Sequence, residues 1–260
     1  MNDKLNARVI HSLINFPIDQ IEVYDQLPST NEEAQTEVWQ RPGMIIANEQ
    51  TKGKGQNGHH FYSPANNGVY FTVIFPAKTE FVQNPGILTL GIGVAVTQAI
   101  NQVYGIDSQL KWVNDIYFDD SKVGGILTEI QSNENNQPEN FIMGIGLDIG
   151  IMPFSRNEDQ MVGSLNVIPP LQRNQVIASI YDHLYAIYYK WTADQIILEY
   201  VKHLMWLNDW VSLINQGREM SGQLVGINDE GHLLLKTSDD QMMNLDPNET
   251  QNIRKKESGS

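Results

Sequence analysis

Between residues 109 and 130 the chain reads as a series of short strands, yet two of them carry charge where a strand has nowhere to hide it. Lys111-Trp112-Val113-Asn114-Asp115-Ile116-Tyr117 and Ser121-Lys122-Val123-Gly124-Gly125-Ile126-Leu127 set charged and amide groups among apolar residues. Desolvating an unpaired ion is too costly for a core to accept it, so these groups are expected to face a site. Lys111 and Lys122 can neutralise an anion, and Asn114 and Asp115 can accept or orient hydrogen bonds. Gly124-Gly125 leaves backbone bare for a ligand to approach closely. The stretch predicts an anionic ligand.

A second motif, Gln50-Thr51-Lys52-Gly53-Lys54-Gly55-Gln56-Asn57-Gly58-His59-His60-Phe61-Tyr62-Ser63-Pro64, contains the letters G-x-G-x-x-G after an expected strand. A dinucleotide fingerprint must open a helix, whereas here Pro64 and Asn66-Asn67-Gly68 break the chain and a new strand begins at Val69. A P-loop fails as well, because no Lys-Ser or Lys-Thr follows the last glycine. What remains is a mobile glycine loop whose Lys52, Lys54 and backbone N–H groups can fold over a phosphate.

The surrounding pattern is mixed. Helical spacing is expected over 4–15, 86–103 and most of 171–207, with a capped turn of helix after Ser29. Strands are expected at 21–24, 44–48, 69–75, 109–113, 116–118, 122–130 and 140–147. After Trp210 short alternating segments joined by Asn228-Asp229-Glu230-Gly231 predict a small β module. This order favours α+β over a doubly wound sheet. The 260 residues give ample core without staples, and the absence of Cys removes disulfides, thiolate metal sites and cysteine nucleophiles together. A net charge of −14 argues against a nucleic-acid surface. No apolar run approaches a membrane span and the polar start is not a signal peptide, so a cytoplasmic protein is expected.

In their order along the chain these pieces resemble biotin protein ligases. That family's active segment runs Lys-Trp-Pro-Asn-Asp, a turn, then Lys-(Leu/Ile)-Ala-Gly-Ile-Leu, and here Val113 replaces the Pro and Gly124 the Ala. The glycine loop is similar to Gly-Arg-Gly-Arg-Arg-Gly-Arg, with Lys54 at the first Arg, Gln56 at the second, Phe61 for the family's Trp, and Ser63-Pro64 retained. Ser29-Thr30-Asn31, Gly68-Val69-Tyr70-Phe71-Thr72 and Gly144-Ile145-Gly146-Leu147-Asp148 stand where the family has Ser-Thr-Asn, Asn-Leu-Tyr-(Phe/Leu)-Ser and Gly-Ile-Gly-Ile-Asn. The resemblance runs from residue 5 to about 250.

It implies a mixed-sheet biotin/lipoate ligase-like catalytic domain over 1–208, a C-terminal SH3-like β-barrel over 209–256 and a flexible tail at 257–260. It also implies an enzyme that makes biotinyl-5'-AMP from biotin and ATP with Mg²⁺, then biotinylates a lysine of a biotin carboxyl carrier domain of acetyl-CoA or pyruvate carboxylase. Lys122, Asp115 and Lys54 would be catalytic. Biotin would meet Ser29, Thr30, Asn31, Gln50, Gly53, Lys54, Tyr70, Trp112, Lys122 and Gly125. The nucleotide would meet Gly55, Gln56, Asn57, Gly58, Phe61, Lys111, Asn114, Asp115 and Asp148. No fixed metal ligands are implied, Mg²⁺ arriving with ATP and Asp115 being the one side chain set beside it. Relatives that repress genes carry an N-terminal winged helix-turn-helix, for which the pattern leaves no room, and a monomer or weak homodimer without DNA or membrane partners is expected.

Taken singly, the pieces have plainer readings. Ser29 and Thr30 suit helix caps, Asn114-Asp115 a turn, Lys111 an exposed strand charge and Asp148 a strand end. The six His show no ligand spacing, so no zinc site is expected. A lipoate- or octanoate-type ligase shares the fold, but its Arg-Arg-x-x-Gly-Gly-Gly-x-Val-(Tyr/Phe)-His-(Asp/Asn) motif is missing. A non-catalytic biotin- or carrier-binding module is the remaining alternative.

Overall fold

The computed structural model describes residues 3–151 and 162–256, with Asn57 described by its backbone; the tail expected at 257–260 lies outside the described residues. Asn6 accepts the Val9 amide to cap α1 (Ala7–Leu13), which leads to β1 (Gln20–Tyr24). Ser29 does the same for α2 (Thr30–Ala34), and β2 (Gly43–Ala47) follows. Beyond the glycine loop come β3 (Gly68–Pro76), a short α3 (Thr79–Gln83) that no sequence signal announced, and the long α4 (Pro85–Tyr104) ending on a left-handed Gly105. Four strands succeed it: β4 (Gln109–Lys111), β5 (Asp115–Phe118), β6 (Ser121–Ser132) and β7 (Pro138–Asp148). The strand expected over 109–113 stops at Lys111, and the Trp112–Val113 peptide is cis.

These strands form one seven-stranded sheet in the order β1-β2-β3-β7-β6-β5-β4. β1 runs parallel to β2 and every other neighbouring pair is antiparallel, the mixed sheet the sequence predicted. Alternation along β3 and β7 divides the two faces. Val69, Phe71, Val73 and Phe75, with Phe141, Met143, Ile145 and Leu147, enter the main core. That core is shared with α4, α5 (Arg173–Lys190) and α6 (Ala193–His203). On the other face Ile45, Ala47, Ile74 and Ile142 close a small cluster with Leu27, Ala34 and Trp39, and the rest of that face is free for polar residues. Among the described residues α4 is the one helix long and apolar enough to cross a membrane; 72% of its apolar window is buried between the sheet and its neighbouring helices.

The C-terminal module is a five-stranded antiparallel sheet, β11-β10-β9-β8-β12. Its members are β8 (Trp210–Asn215), β9 (Arg218–Ile227), β10 (Leu233–Lys236), β11 (Met242–Leu245) and β12 (Thr250–Lys255). The last two strands went unread in the sequence. Together the two sheets have the mixed α+β architecture and barrel-like C-terminal unit that were expected.

Candidate active site

Strand register sets one line of residues across the large sheet: Tyr24, Ala47, Tyr70, Gly146, Gly125, Asp115 and Lys111. Directly paired residues project to the same side, here the side away from the main core. In the middle of the line Gly146 and Gly125 leave a trough of bare backbone. Phe61 of the glycine loop lies over it. A Cβ on Gly146 would stand 2.5 Å from the Phe61 ring, one on Gly125 would stand 3.6 Å away, and the ring meets Tyr70 edge-on at 6.3 Å. Tyr70 is fully buried beneath and donates its hydroxyl to the Pro64 carbonyl at 3.2 Å.

Lys122 borders the trough on the β5 side. Its Nζ reaches Asp115 Oδ1 at 2.6 Å, both side chains being mostly shielded, and it lies 3.7 Å from where a Gly125 Cβ would be. Lys111, aligned with Asp115, is half-buried with its amine 5.4 Å from the Tyr117 and Trp206 rings. Burial pushes that amine's pKa down and Asp115 partly offsets it, so the exposed strand charge of the plain sequence reading is not what the fold makes of it. Asn114 is committed to β6: its side chain donates to Ile126 O and its carbonyl accepts from Ile126 N. Trp112 is buried and donates to Gly231 O of the C-terminal module at 3.0 Å.

The glycine loop folds back on itself. Phe61 N donates to Gly53 O, Gly55 N to His59 O and Gln50 N to Ser63 O, with a turn of 3₁₀ helix at Gln56–Gly58. Only a glycine fits at 53, where a Cβ would lie 2.4 Å from Phe61 O. Lys54 pairs with Glu32 of α2 at 2.7 Å, which raises its pKa. Gln50 accepts from Thr30 N and Oγ1 and donates to Ser63 Oγ. From there Thr72 bonds Thr30 and Asn31, and Asn31 donates to Leu127 O and the Glu129 carboxylate. One polar chain therefore runs from the loop through α2 to β6, and Asn31 within it is fully engaged by protein groups.

Asp148 ends β7 on the trough side. It is buried, and burial pushes its carboxyl well above the usual range against the pull of Lys122. The segment 162–167 fastens both strand ends, Gly163 N donating to Lys122 O and Leu165 N to Asp148 O, each at 2.9 Å. Sequence reasoning missed Glu32, Glu129 and Thr72. Glu32 lies three residues after an N-cap Ser, where it reads as a capping partner. A separate cavity of about 450 Å³ shares only Tyr24 with the line; Arg173 in its wall is already bonded to Asp3, Asn48 and the Gly68 carbonyl.

A mixed sheet with a glycine trough, a strand lysine beside it and a looped cover defines a biotin- and lipoate-ligase-type catalytic fold. Residues 23–148 match the biotin/lipoate A/B protein ligase family. The chain is 29% identical over 210 residues to the bifunctional ligase/repressor BirA of Bacillus subtilis, covering 75% of this chain and 62% of that protein. It is 26% identical over 199 residues to the biotin--[acetyl-CoA-carboxylase] ligase of Mycobacterium tuberculosis, covering 74% and 72%. The chain thus spans about three fifths of the length of the B. subtilis relative. Biotin protein ligase from Aquifex aeolicus, solved with biotin and ATP, superposes with a TM-score of 0.73 at 23% identity over 92% of this chain and 99% of that one. The Leishmania major ligase with biotinyl-5-AMP gives 0.61 at 24% over 88% and 100%. At these identities the superpositions establish the fold.

Proposed function

We propose that the chain is an ATP-dependent biotin protein ligase, with residues 1–208 as its catalytic unit and 209–256 as a closing β module. The observation that carries this reading is Lys122 held at 2.6 Å from Asp115 beside the Gly125–Gly146 trough, with Lys54 and Phe61 on the covering loop. In the first step a biotin carboxylate oxygen attacks the α-phosphorus of MgATP. The bond to the bridging oxygen breaks and pyrophosphate leaves with its electrons. Two anions must meet for this, and Lys122 from the sheet and Lys54 from the loop supply the opposing charge. Once the Phe61 ring lifts off the Gly146 backbone, the trough takes a flat bicyclic head group, bounded by Tyr70 and by Thr30, Ser29 and Gln50 at the base of the loop. Magnesium enters as part of the substrate; among the described residues no group of three acidic or histidine side chains gathers to hold one.

In the second step a carrier-domain lysine amine attacks the acyl carbon, the acyl–oxygen bond breaks and AMP leaves. Asp115 takes the proton that the amine loses. The acceptor is a biotin carboxyl carrier domain of acetyl-CoA or pyruvate carboxylase. The test is ATP–pyrophosphate exchange with purified protein, comparing biotin with lipoate. Exchange with biotin alone, followed by labelling of a carrier domain, is the expected result. Exchange with lipoate alone would assign the fold to lipoylation, and exchange with neither would leave a binding module.

A further inference from the structure

Two residues along from Tyr70, Gly146 and Gly125, a second line of paired residues crosses the same side of the sheet: Thr72, Gly144 and Leu127. Asn31 of α2 is seated on it. A Cβ on Gly144 would stand 2.3 Å from Asn31 Oδ1, so the amide lies directly on glycine backbone. Asn31 is buried and Thr72 fully so. Their hydrogen bonds fix where each proton goes. Asn31 Nδ2 faces two acceptors, Glu129 Oε2 at 2.7 Å and Leu127 O at 3.3 Å. The carboxylate contact is the shorter and is charge-assisted, so it dominates the orientation of the amide. Asn31 Oδ1 is thereby turned to Thr72 Oγ1 at 2.6 Å, and an amide oxygen can only accept. That contact uses the one proton Thr72 has. At its other contact, 2.8 Å from Thr30 Oγ1, Thr72 must then accept, and the proton there comes from Thr30. Gln50 Oε1 makes a weaker claim on it at 3.2 Å, being already bonded by the Thr30 amide at 2.9 Å.

We infer that Glu129 is a positioning residue for substrate choice: through Asn31 and Thr72 it draws the Thr30 proton inward, so that Thr30 meets the bound head group as an acceptor and selects a ring N–H over a ring oxygen. This rests on the ligase reading of the site, in which the head group is a cyclic urea at the base of the loop. Glu129 touches no substrate; it acts through the direction of three successive hydrogen bonds. A donor at position 129 would turn the Asn31 amide over. Thr72 would then accept from Asn31 and donate to Thr30, and the Thr30 proton would be released toward the ligand.

The experiment measures binding of biotin and of the two cyclic carbamates in which one ring N–H of biotin is replaced by oxygen, by titration calorimetry. Wild type should prefer biotin over the isomer with oxygen at Thr30 by at least ~30-fold, because that oxygen meets lone pairs in place of a hydrogen bond. Glu129→Gln keeps an acceptor and should hold this ratio within about threefold, whereas Glu129→Lys, with donors alone, should lower it about tenfold. Thr72→Val cuts the chain without touching β6 and should lower the ratio similarly; it decides the question if Glu129→Lys melts early. The field of Glu129 at Lys54 changes as well, but it acts on both ligands alike and cancels in the ratio. ATP affinity should be the same in every variant. A ratio unchanged in Glu129→Lys and Thr72→Val, or lowered as far in Glu129→Gln as in Glu129→Lys, overturns this inference alone when biotin-dependent pyrophosphate exchange is intact. Failure of wild type to bind biotin removes the ligase reading and this inference with it.

Discussion

An ammonium and a carboxylate 2.6 Å apart and largely out of water, as Lys122 and Asp115 are, hold each other in place, so removing either leaves the other charged and alone. Lys122→Ala should lower adenylate formation by ~10²–10³, read by pyrophosphate exchange, with the far-ultraviolet spectrum unchanged. Asp115→Asn keeps shape and loses charge. In single-turnover measurements it should slow transfer to the carrier lysine more than adenylate synthesis, whereas equal slowing would assign Asp115 to the nucleotide. Asp148 gives a pH dependence of stability. Its folded value lies above the unfolded one, so its contribution is complete below the ordinary carboxylate range and declines as pH rises toward the folded value. Asp148→Asn should therefore match wild type in urea midpoint at about pH 4 and exceed it at about pH 8. At this scale the sequence was informative where charge interrupts a strand, as at Lys111, Asp115 and Lys122. It was silent on Glu32, because a carboxylate after an N-cap Ser has an ordinary use in the helix, and its actual partner, Lys54, lies on a different element.

The loop and the trough are built against each other, which makes the two central glycines unequal. A methyl on Gly146 would meet the Phe61 ring at 2.5 Å, while one on Gly125 meets only ordinary contacts at 3.6 Å. Gly146→Ala should weaken loop closure by ~1–3 kcal/mol, raising protease cleavage within residues 50–62 by about 5- to 150-fold, and Gly125→Ala should leave the cleavage rate unchanged. Biotin with MgATP should slow cleavage in wild type, as anionic contacts supply ordering energy to a glycine-rich segment. Elements with long apolar runs were legible: α4 is apolar on nearly every side, and β3 and β7 are buried along most of their length. The five-residue α3 has too few turns to show a period. β11 and β12 each bury few side chains, so their pattern does not stand out from a polar loop. The register that draws Lys111, Asp115, Gly125, Gly146 and Tyr70 into one line is a property of pairing between distant strands, which no local pattern encodes.

Across the whole molecule the active segment is tied to the C-terminal module through Trp112. Its indole donates to Gly231 O, and the hairpin carrying Gly231 rests on Ile87 at the start of α4. Trp112→Phe leaves that carbonyl unpaired and should cost ~1–3 kcal/mol in denaturant unfolding, with a larger effect on ATP affinity than a surface change in β11 produces. The few basic groups that matter sit in a chain of net charge −14, and two of them, Lys54 and Lys122, are already held by carboxylates at 2.7 and 2.6 Å. A stray chloride or inorganic phosphate arriving there meets no bare ammonium; it must outcompete a tethered rival whose local concentration far exceeds its own. Only a visitor with several negative charges, spaced to engage the sheet lysine and the loop lysine together, displaces both rivals at once. The resting ion pairs are thus expected to favour a polyanion over single charges.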